Sequence, residues 1–265
     1  MLTKLVTLRG KLISWVPSGV YRILRQIWYL VFLNAGKFGY LILRSLGRDY
    51  NTAPPSYLIV QYGAVDRFGY MRYGQKMVEM IDDALRQAAV TVEAGARVLD
   101  FGCGCGRVTE ALSGRGWQHF VSDIKHDPVA WIRRYRSEWV TNVNGLRPPL
   151  PGNFEGFGLI FAISVLTHMD EMSAKQWLDH FHQRLAPGGV LFLTIITPEE
   201  SPEQIEKFGI LPNQVVQDGY VFDQGKDMSF IAQDYVRSHF TENFDLLHMG
   251  KGKCYSQTAL VLRKK

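Results

Sequence analysis

The chain has 265 residues, of which 46% are hydrophobic and 21% are charged, and this composition excludes a disordered, collagen-like or disulfide-stapled protein. The net charge is +5. Residues 1–50 contain eight basic side chains and one acidic side chain, a charge of +7, which leaves −2 for the rest of the chain. The basic charge therefore belongs to the amino-terminal segment, and a general nucleic-acid-binding surface is not indicated.

The first 50 residues combine large apolar side chains with the basic ones. No uncharged run reaches the roughly 18 to 20 residues that a membrane-spanning helix needs. Apolar residues recur instead at a spacing of three or four, which predicts a helix lying on an anionic membrane surface. Two alternatives remain open, a helical cap on the following domain and a tilted single span. The apolar positions are Val20, Ile23, Leu24, Ile27, Leu30 and Val31.

From residue 74 onward, short apolar runs alternate with amphipathic stretches, as in α/β folds. This order implies a parallel sheet with helices on both faces. The last two strands flank the Gly-Lys-Gly-Lys turn at 250–253, so we expect a closing antiparallel hairpin. The predicted strands are residues 97–101, 119–123, 140–143, 159–163, 190–196, 244–248 and 259–262, and the predicted helices are residues 75–88, 107–112, 128–137 and 174–185.

A glycine-rich loop follows the first predicted strand. Residues 98–107 read Val-Leu-Asp-Phe-Gly-Cys-Gly-Cys-Gly-Arg, a strand that runs into G-x-G-x-G and then into a helix. Glycine at these positions lets the backbone approach a ligand closely. A dinucleotide-binding fingerprint places its third glycine one position later, where this chain has Arg107. The spacing therefore disfavours a pyrophosphate-binding loop.

Polar residues end the next two predicted strands. Asp123 follows the glycine loop by about twenty residues, the spacing at which a carboxylate in such folds reaches the ribose hydroxyls. Asn144 and Gly145 follow the third strand, where an adenine edge would lie. Each has a plainer interpretation, Asp123 as a helix cap and Asn144-Gly145 as an ordinary turn. Their order on successive strand ends favours a nucleoside site.

From about Gly74 to its carboxyl end, the sequence resembles the class I S-adenosylmethionine-dependent methyltransferases. Four segments carry the resemblance. They are residues 98–107, the Ser-Asp pair at 122–123, the Ala-Ile-Ser-Val-Leu-Thr-His run at 162–168, and the Leu-Ala-Pro-Gly-Gly run at 185–189.

The resemblance implies an α/β fold with a doubly wound, Rossmann-like sheet of seven mostly parallel strands, preceded here by the apolar and basic helical extension. It also implies S-adenosylmethionine as the methyl donor and S-adenosylhomocysteine as the product. The glycines would pass beside the methionine part, Asp123 would bind the ribose and Asn144 would lie near the adenine. The cofactor-binding residues implied in this way are Asp100, Gly102, Cys103, Gly104, Gly106, Asp123, Ile124, Asn144, Gly145 and Ile163.

Two positions depart from the family pattern. Family members often have Phe-Asp-Leu at the start of the fourth strand, whereas this chain has Phe157-Gly158-Leu159, so a polar contact is missing and the strand entry is expected to differ. Asn144 stands where many relatives have an acid, and its amide carbonyl still offers a hydrogen-bond acceptor.

Methyl transfer is an in-line displacement in which the protein aligns the acceptor and manages its proton. If the acceptor is a hydroxyl, His168 at the end of the fourth strand is the candidate general base. The alternative is that His168 packs against or caps the following helix. We expect no metal, because the three cysteines and the histidines complete no zinc pattern. Cys103 and Cys105 are expected to be small residues of the cofactor loop without a redox role.

The substrate pocket is predicted to come from residues 198–226, a loop-rich insertion containing Phe208, Tyr220 and Phe222, together with residues 68–73. With the amino-terminal segment, these aromatics favour a small or lipid-linked acceptor, such as a quinone-like ring or a lipid-carried glycan.

The chain is thus divided into a membrane-associating segment (1–50), a linker and substrate-side segment (51–73) and a methyltransferase domain (74–265). We expect a cytoplasmic protein that is peripheral to the membrane. Two alternative functions remain, a membrane-tethered protein that binds the cofactor without turnover, and an aminopropyl-type transferase on the same fold.

Overall fold

A computed structural model describes residues 54–62, 67–252 and 256–265, together with Phe38 and Ile42. The chain divides into two compact units, residues 1–67 and residues 68–265. Within the described part of the first unit, one helical turn, α1, spans Ser56–Ile59 and continues as a 3-10 turn at Val60–Tyr62.

The second unit alternates strands and helices, as the sequence predicts. Helix α2 already begins in the last residue of the first unit, seven positions before the domain start predicted at residue 74. The strands are β1 (Arg97–Phe101), β2 (Gln118–Asp123), β3 (Val140–Val143), β4 (Phe157–Ala162), β5 (Leu185–Ile195), β6 (Tyr220–Asp223), β7 (Met228–Ile231), β8 (Phe244–Lys251) and β9 (Thr258–Lys264); the helices are α2 (Arg67–Gln87), α3 (Arg107–Leu112), α4 (His126–Tyr135), α5 (Glu171–Arg184), α6 (Pro202–Lys207), α7 (Pro212–Asp218) and α8 (Gln233–Tyr235), the last continued by a π-helical turn at Val236–Phe240.

Seven strands form one sheet in the order β3-β2-β1-β4-β5-β9-β8. Strands β1 to β5 pair in parallel, and β9 pairs antiparallel with both β5 and β8. The prediction of a mostly parallel seven-stranded sheet closed by an antiparallel hairpin is confirmed. The chain order reverses between β1 and β4, which makes the carboxyl ends of these two strands the topological switch point, where open α/β sheets bind their ligands.

The core lies on both faces of this sheet. Successive side chains of a strand point to opposite faces, and accordingly Leu99 and Phe101 belong to one apolar cluster while Val98 belongs to another. Trp177 of α5 packs in the first cluster, and Ile81 of α2 packs in the second. Helices therefore cover both faces, and the doubly wound architecture expected from the alternating pattern is confirmed.

The entry into β4 is irregular, as the glycine at its second position predicts. The pairing between β4 and β5 shifts its register between Phe157 and Leu159. A Cβ added to Gly158 would lie 3.4 Å from the Cβ of Ala96, so a larger side chain here would press on the segment that leads into β1.

The expectation of a loop-rich insertion at residues 198–226 is wrong. This stretch contains α6, α7 and β6, and β6 pairs with β7 as an antiparallel hairpin. The insertion has an apolar cluster of its own, in which Phe208 packs on Phe230 with ring centroids 5.5 Å apart. Tyr220 belongs to the main core cluster. Phe208 therefore stabilises the insertion itself, whereas Tyr220 packs the insertion onto the main core.

The predicted amphipathic positions at residues 20–31 lie outside the described residues. Phe38 and Ile42 are helical, and their exposed fractions are 66% and 43%. Across the residues that the structure describes, no helix has both the length and the apolar character needed to cross a membrane.

Candidate cofactor and active site

The glycine loop lies at the carboxyl end of β1, on the switch-point edge of the sheet. Gly102, Gly104 and Gly106 all have positive φ angles, of 77°, 56° and 74°, a backbone region that a Cβ penalises. The amide of Gly102 donates to the carbonyl oxygen of Ser122 at 2.7 Å, and the amide of Gly106 donates to that of Cys103 at 2.8 Å. The loop is thus a tight turn fastened to the end of β2.

Two glycines of the loop also lack the space for a side chain. A Cβ at Gly102 would stand 2.4 Å from Cγ2 of Val165, and a Cβ at Gly106 would stand 2.6 Å from the ring of Trp139. Val165 follows β4 and Trp139 precedes β3. Close packing at these two positions therefore brings the loop against both flanking segments.

The carboxylate of Asp123 is fixed by the glycine loop and by its own strand end. Its Oδ2 accepts a hydrogen bond from the amide of Gly104 at 2.8 Å, and its Oδ1 accepts one from the amide of Lys125 at 2.8 Å. A carboxylate offers about four lone-pair sites, so about half of them remain for ligand donors. Burial raises the pKa of Asp123, although the two amide donors lower it.

A second carboxyl group, that of Asp100, lies buried at the end of β1. Its Oδ2 accepts a hydrogen bond from the hydroxyl of Thr109 at 2.7 Å. Burial raises the pKa of Asp100 to about 7, and the negative charge of Asp123 acts in the same direction. The two carboxyls therefore form an acidic pair beneath the loop, suited to a ligand that carries positive charge.

The cysteines of the loop are buried thiols. Burial raises the pKa of Cys105 to about 12 and raises that of Cys103 as well. Because the thiolate is the reactive form of cysteine, both side chains are unreactive at neutral pH.

Tyr70 of α2 is a site residue that sequence reasoning did not single out. Its side chain is buried, and its hydroxyl accepts a hydrogen bond from the amide of Cys105 at 3.1 Å. Gly74, one turn later, lets the helix come close, because a Cβ there would lie 2.3 Å from the carbonyl oxygen of Arg107. The sequence predicts residues 68–73 only as a substrate-side segment, and no local pattern identifies a tyrosine that holds a loop backbone 35 residues away.

Asn144 and Gly145 lie beside Asp123 at the end of β3. The amide nitrogen of Asn144 donates to the carbonyl oxygen of Asp123 at 3.1 Å, and its side-chain Oδ1 accepts from the hydroxyl of Ser122 at 2.9 Å. Its Nδ2 donates to the carbonyl oxygen of Gly145 at 2.8 Å. Ile124 is 47% exposed, which leaves an apolar surface next to these polar groups.

His168 and Ile163 lie at the end of β4. Ile163 is half-buried and packs against the core. Nδ1 of His168 lies 2.7 Å from the backbone carbonyl oxygen of Asp227, in the turn between β6 and β7. A carbonyl only accepts, so Nδ1 is the donor of this contact, and in that tautomer of a neutral imidazole Nε2 is an acceptor.

The structure thus joins the glycine loop, Asp123 and Asn144 in one hydrogen-bonded arrangement. Asp100 is bonded instead to Thr109 of α3, and His168 contacts the β6–β7 turn. Within the described ranges, no three His, Cys, Asp or Glu side chains are grouped as metal ligands would be.

Comparison with known proteins identifies the family. Residues 71–248, more than half of the chain, match the family model described as a methyltransferase domain. The ubiquinone biosynthesis O-methyltransferases of Azotobacter vinelandii and Pseudomonas aeruginosa are 28% identical to it over 110 residues, which cover 39% of this chain and 45% of theirs. The chain is therefore matched to about half the length of these curated relatives.

Solved structures share the fold at low identity. A protein from Pyrococcus horikoshii, PH0226, has a TM-score of 0.54 and 18% identity, covering 71% of this chain and 90% of that one. The N-methyltransferase NodS of Bradyrhizobium japonicum, solved with S-adenosylhomocysteine, has a TM-score of 0.51 and 16% identity, covering 74% and 87%. The family match, with the sheet order and the glycine loop, shows that the chain belongs to the methyltransferase-domain family.

Proposed function

We propose that the protein transfers a methyl group to a hydroxyl group of a small or lipid-linked acceptor. The partial similarity to two ubiquinone biosynthesis O-methyltransferases supports oxygen as the accepting atom. S-adenosylmethionine supplies the activated methyl group, so the protein has to align the acceptor and manage its proton.

The observation that carries the proposal is the carboxylate of Asp123, held by the amides of Gly104 and Lys125. Its remaining lone pairs suit two neighbouring ribose hydroxyls. In this assignment the glycine loop and Asp100 lie beside the methionine part, whose ammonium group complements the acidic pair. The complete proposed set is Asp100, Gly102, Cys103, Gly104, Gly106, Asp123, Ile124, Asn144, Gly145 and Ile163.

His168 is the proposed general base. Its proton on Nδ1 is fixed by the carbonyl of Asp227, and Nε2 is left to receive the acceptor's proton. Attack of the hydroxyl oxygen on the methyl carbon then forms the C–O bond while the C–S bond breaks, and S-adenosylhomocysteine leaves.

Residues 1–50 are proposed to hold the protein on the cytoplasmic face of an anionic membrane. Their charge of +7 and their exposed Phe38 and Ile42, one helical turn apart, support this. Such a position would bring a lipid-linked acceptor to the site.

Calorimetric titration of S-adenosylhomocysteine into the full chain and into an Asp123→Ala variant tests the proposal. We expect saturable binding by the native protein and at least about tenfold weaker binding by the variant, because two charge-assisted hydrogen bonds are lost. Asp218→Ala, at an exposed position of α7, is the matched control and should leave the affinity unchanged. No binding by the folded native protein would refute the cofactor assignment.

A second experiment addresses the reaction itself. Methyl-labelled cofactor is incubated with the protein and a membrane-lipid extract, and we expect label in a methyl ether product. Cofactor binding without transfer to any hydroxyl-bearing acceptor would contradict the proposed reaction and would favour a protein that binds the cofactor without turnover.

A further inference from the structure

A polar cluster lies on the other side of the switch point from Asp123, where β4 and β5 end and β9 begins. Ser164 follows β4, and its amide donates to the hydroxyl of Thr194 of β5 at 2.8 Å. The amide Nε2 of Gln257, the residue before β9, donates to the hydroxyl oxygen of Ser164 at 2.9 Å. Gln257 thus reaches across β5 to the end of β4.

One atom of this cluster has no partner. Gln257 is only 4% exposed, and its Oε1 is buried without a hydrogen bond to any residue that the structure describes. Buried side-chain acceptors are nearly always paired, and an unpaired one costs free energy comparable to a lost hydrogen bond. An acceptor of this kind at a ligand-binding edge indicates a donor that the protein alone does not supply.

The neighbouring polar groups do not explain Gln257, because they satisfy one another. The hydroxyls of Thr197 and Thr258 lie 2.7 Å apart, and the hydroxyl of Thr194 is taken by the amide of Ser164. Oε1 of Gln257 is an acceptor that no donor of the described residues reaches.

Ser164 has the backbone expected of a functional position. Its φ is +59°, a left-handed conformation that costs a non-glycine residue free energy and persists where surrounding contacts impose it. The next residue, Val165, is the one that a Cβ at Gly102 would strike. Ser164 is therefore the chain neighbour of a residue that packs against the glycine loop. The Ser164–Gln257 pair lies on the side of β1 opposite to Asp123.

We propose that Gln257, held in place by Ser164, binds the methyl acceptor through an O–H or N–H group that donates to its Oε1. This inference rests on the proposed function, and it adds that the acceptor is a hydrogen-bond donor at this end of the pocket. Gln257 is a binding residue for the acceptor and takes no part in holding the cofactor.

The test uses the full chain saturated with S-adenosylhomocysteine and titrated with two small aromatic probes. Catechol carries two hydroxyl donors, and its dimethyl ether, veratrole, has a similar ring and none. We expect catechol to bind at least about tenfold more tightly than veratrole, since a site with a buried unpaired acceptor rejects a ligand that leaves it unpaired.

Gln257→Leu removes the amide at nearly constant volume, and it should abolish the preference for catechol while changing the affinity for S-adenosylhomocysteine less than about twofold. Gln118→Leu makes the same substitution at the opposite, amino-terminal edge of the sheet and should retain the preference. Ser164→Ala is the second variant, used in case the leucine variant does not fold, and it should weaken the preference because Gln257 loses the hydroxyl that holds its Nε2.

The outcomes separate the two proposals. Binding of S-adenosylhomocysteine together with equal or no binding of the two probes overturns the role of Gln257 and leaves the cofactor site intact. A preference for catechol that survives in both the Gln257→Leu and Ser164→Ala variants also overturns it. Failure of the native protein to bind S-adenosylhomocysteine refutes the proposed cofactor site first.

Discussion

Burial raises the pKa of Asp100, so the ionisation of this residue affects the free energy of unfolding. In the unfolded chain an aspartate ionises near pH 4, whereas the folded protein keeps the proton of Asp100 until about pH 7. Between these values the unfolded state binds fewer protons, so this group makes the free energy of unfolding fall as pH rises. Above pH 7 both states are ionised and its contribution is constant.

Asp100→Asn should therefore stabilise the protein relative to the native chain, and increasingly so from pH 5 to pH 8, by up to about 3 kcal/mol at the upper end. The asparagine carbonyl still accepts the hydrogen bond from Thr109. Urea unfolding of both proteins at each pH measures the difference in their free energies of unfolding. The buried histidines of lowered pKa contribute equally to the pH dependence of both proteins, so their contributions cancel in this difference. A difference independent of pH would show that Asp100 ionises normally.

The proposed role of His168 gives a second prediction for a single residue. If Nε2 removes the acceptor's proton, His168→Gln should lower the rate of labelled methyl transfer by about 100-fold or more, the usual contribution of a general base, with the affinity for S-adenosylhomocysteine unchanged. Asp227→Asn is the comparison, because it keeps the backbone carbonyl at 2.7 Å from Nδ1 of His168 and removes only the carboxylate that lies 3.6 Å from the same atom. Asparagine also tolerates the positive φ of 54°, so we expect a much smaller loss of rate than in His168→Gln. A glutamine variant with nearly native turnover would assign His168 a structural role.

At the scale of elements, the junction of β1 with the segment after β4 depends on the absence of a side chain at Gly102. Gly102→Ala combines a positive φ with a contact of 2.4 Å to Val165. We expect a loss of about 2–4 kcal/mol in the free energy of unfolding, from backbone strain and overpacking together, and weaker binding of S-adenosylhomocysteine.

Two further variants separate the causes. Gly188→Ala also has a positive φ, of 70°, but a Cβ there meets nothing within 4 Å, so it should cost only the strain, about 1 kcal/mol. Adding Val165→Ala to Gly102→Ala relieves the contact and should recover part of the stability. If the Gly102 and Gly188 variants lose equal stability in urea unfolding, the close packing has no energetic consequence.

The elements also show how far the sequence alone predicts this protein. The sheet and the loop-to-Asp123 arrangement follow from chain order, because parallel strands place their carboxyl ends at one edge. The sequence does not predict the β6–β7 hairpin: each strand has only four residues, and unlike the equally short β3 the pair lies in an insertion outside the alternation of strands and helices. Tyr70 and Gln257 were missed for another reason: each acts through one contact to a segment distant in the chain, at 35 and 93 residues, and no local pattern records such a contact.

At the scale of the whole molecule, charge is divided between a segment of +7 and a remainder of −2. A remainder of this sign is repelled by an anionic surface, so adsorption would have to come from residues 1–50. Each basic residue near such a surface contributes about 1 kcal/mol. Arg22→Glu with Arg25→Glu in the full chain should therefore weaken binding to phosphatidylserine-rich vesicles by at least about 30-fold in a flotation assay.

The matched control reverses two exposed charges elsewhere, Arg133→Glu with Arg134→Glu on α4. Both double variants change the net charge equally, so a mere response to total charge would affect them alike, whereas binding through the amino-terminal segment affects only the first. Raising the salt concentration should weaken the native interaction because exposed charges are screened. Equal recovery of the native protein and both variants in the fraction without vesicles would contradict the membrane proposal, and it would leave a small acceptor free in solution as the substrate class that the site has to recognise.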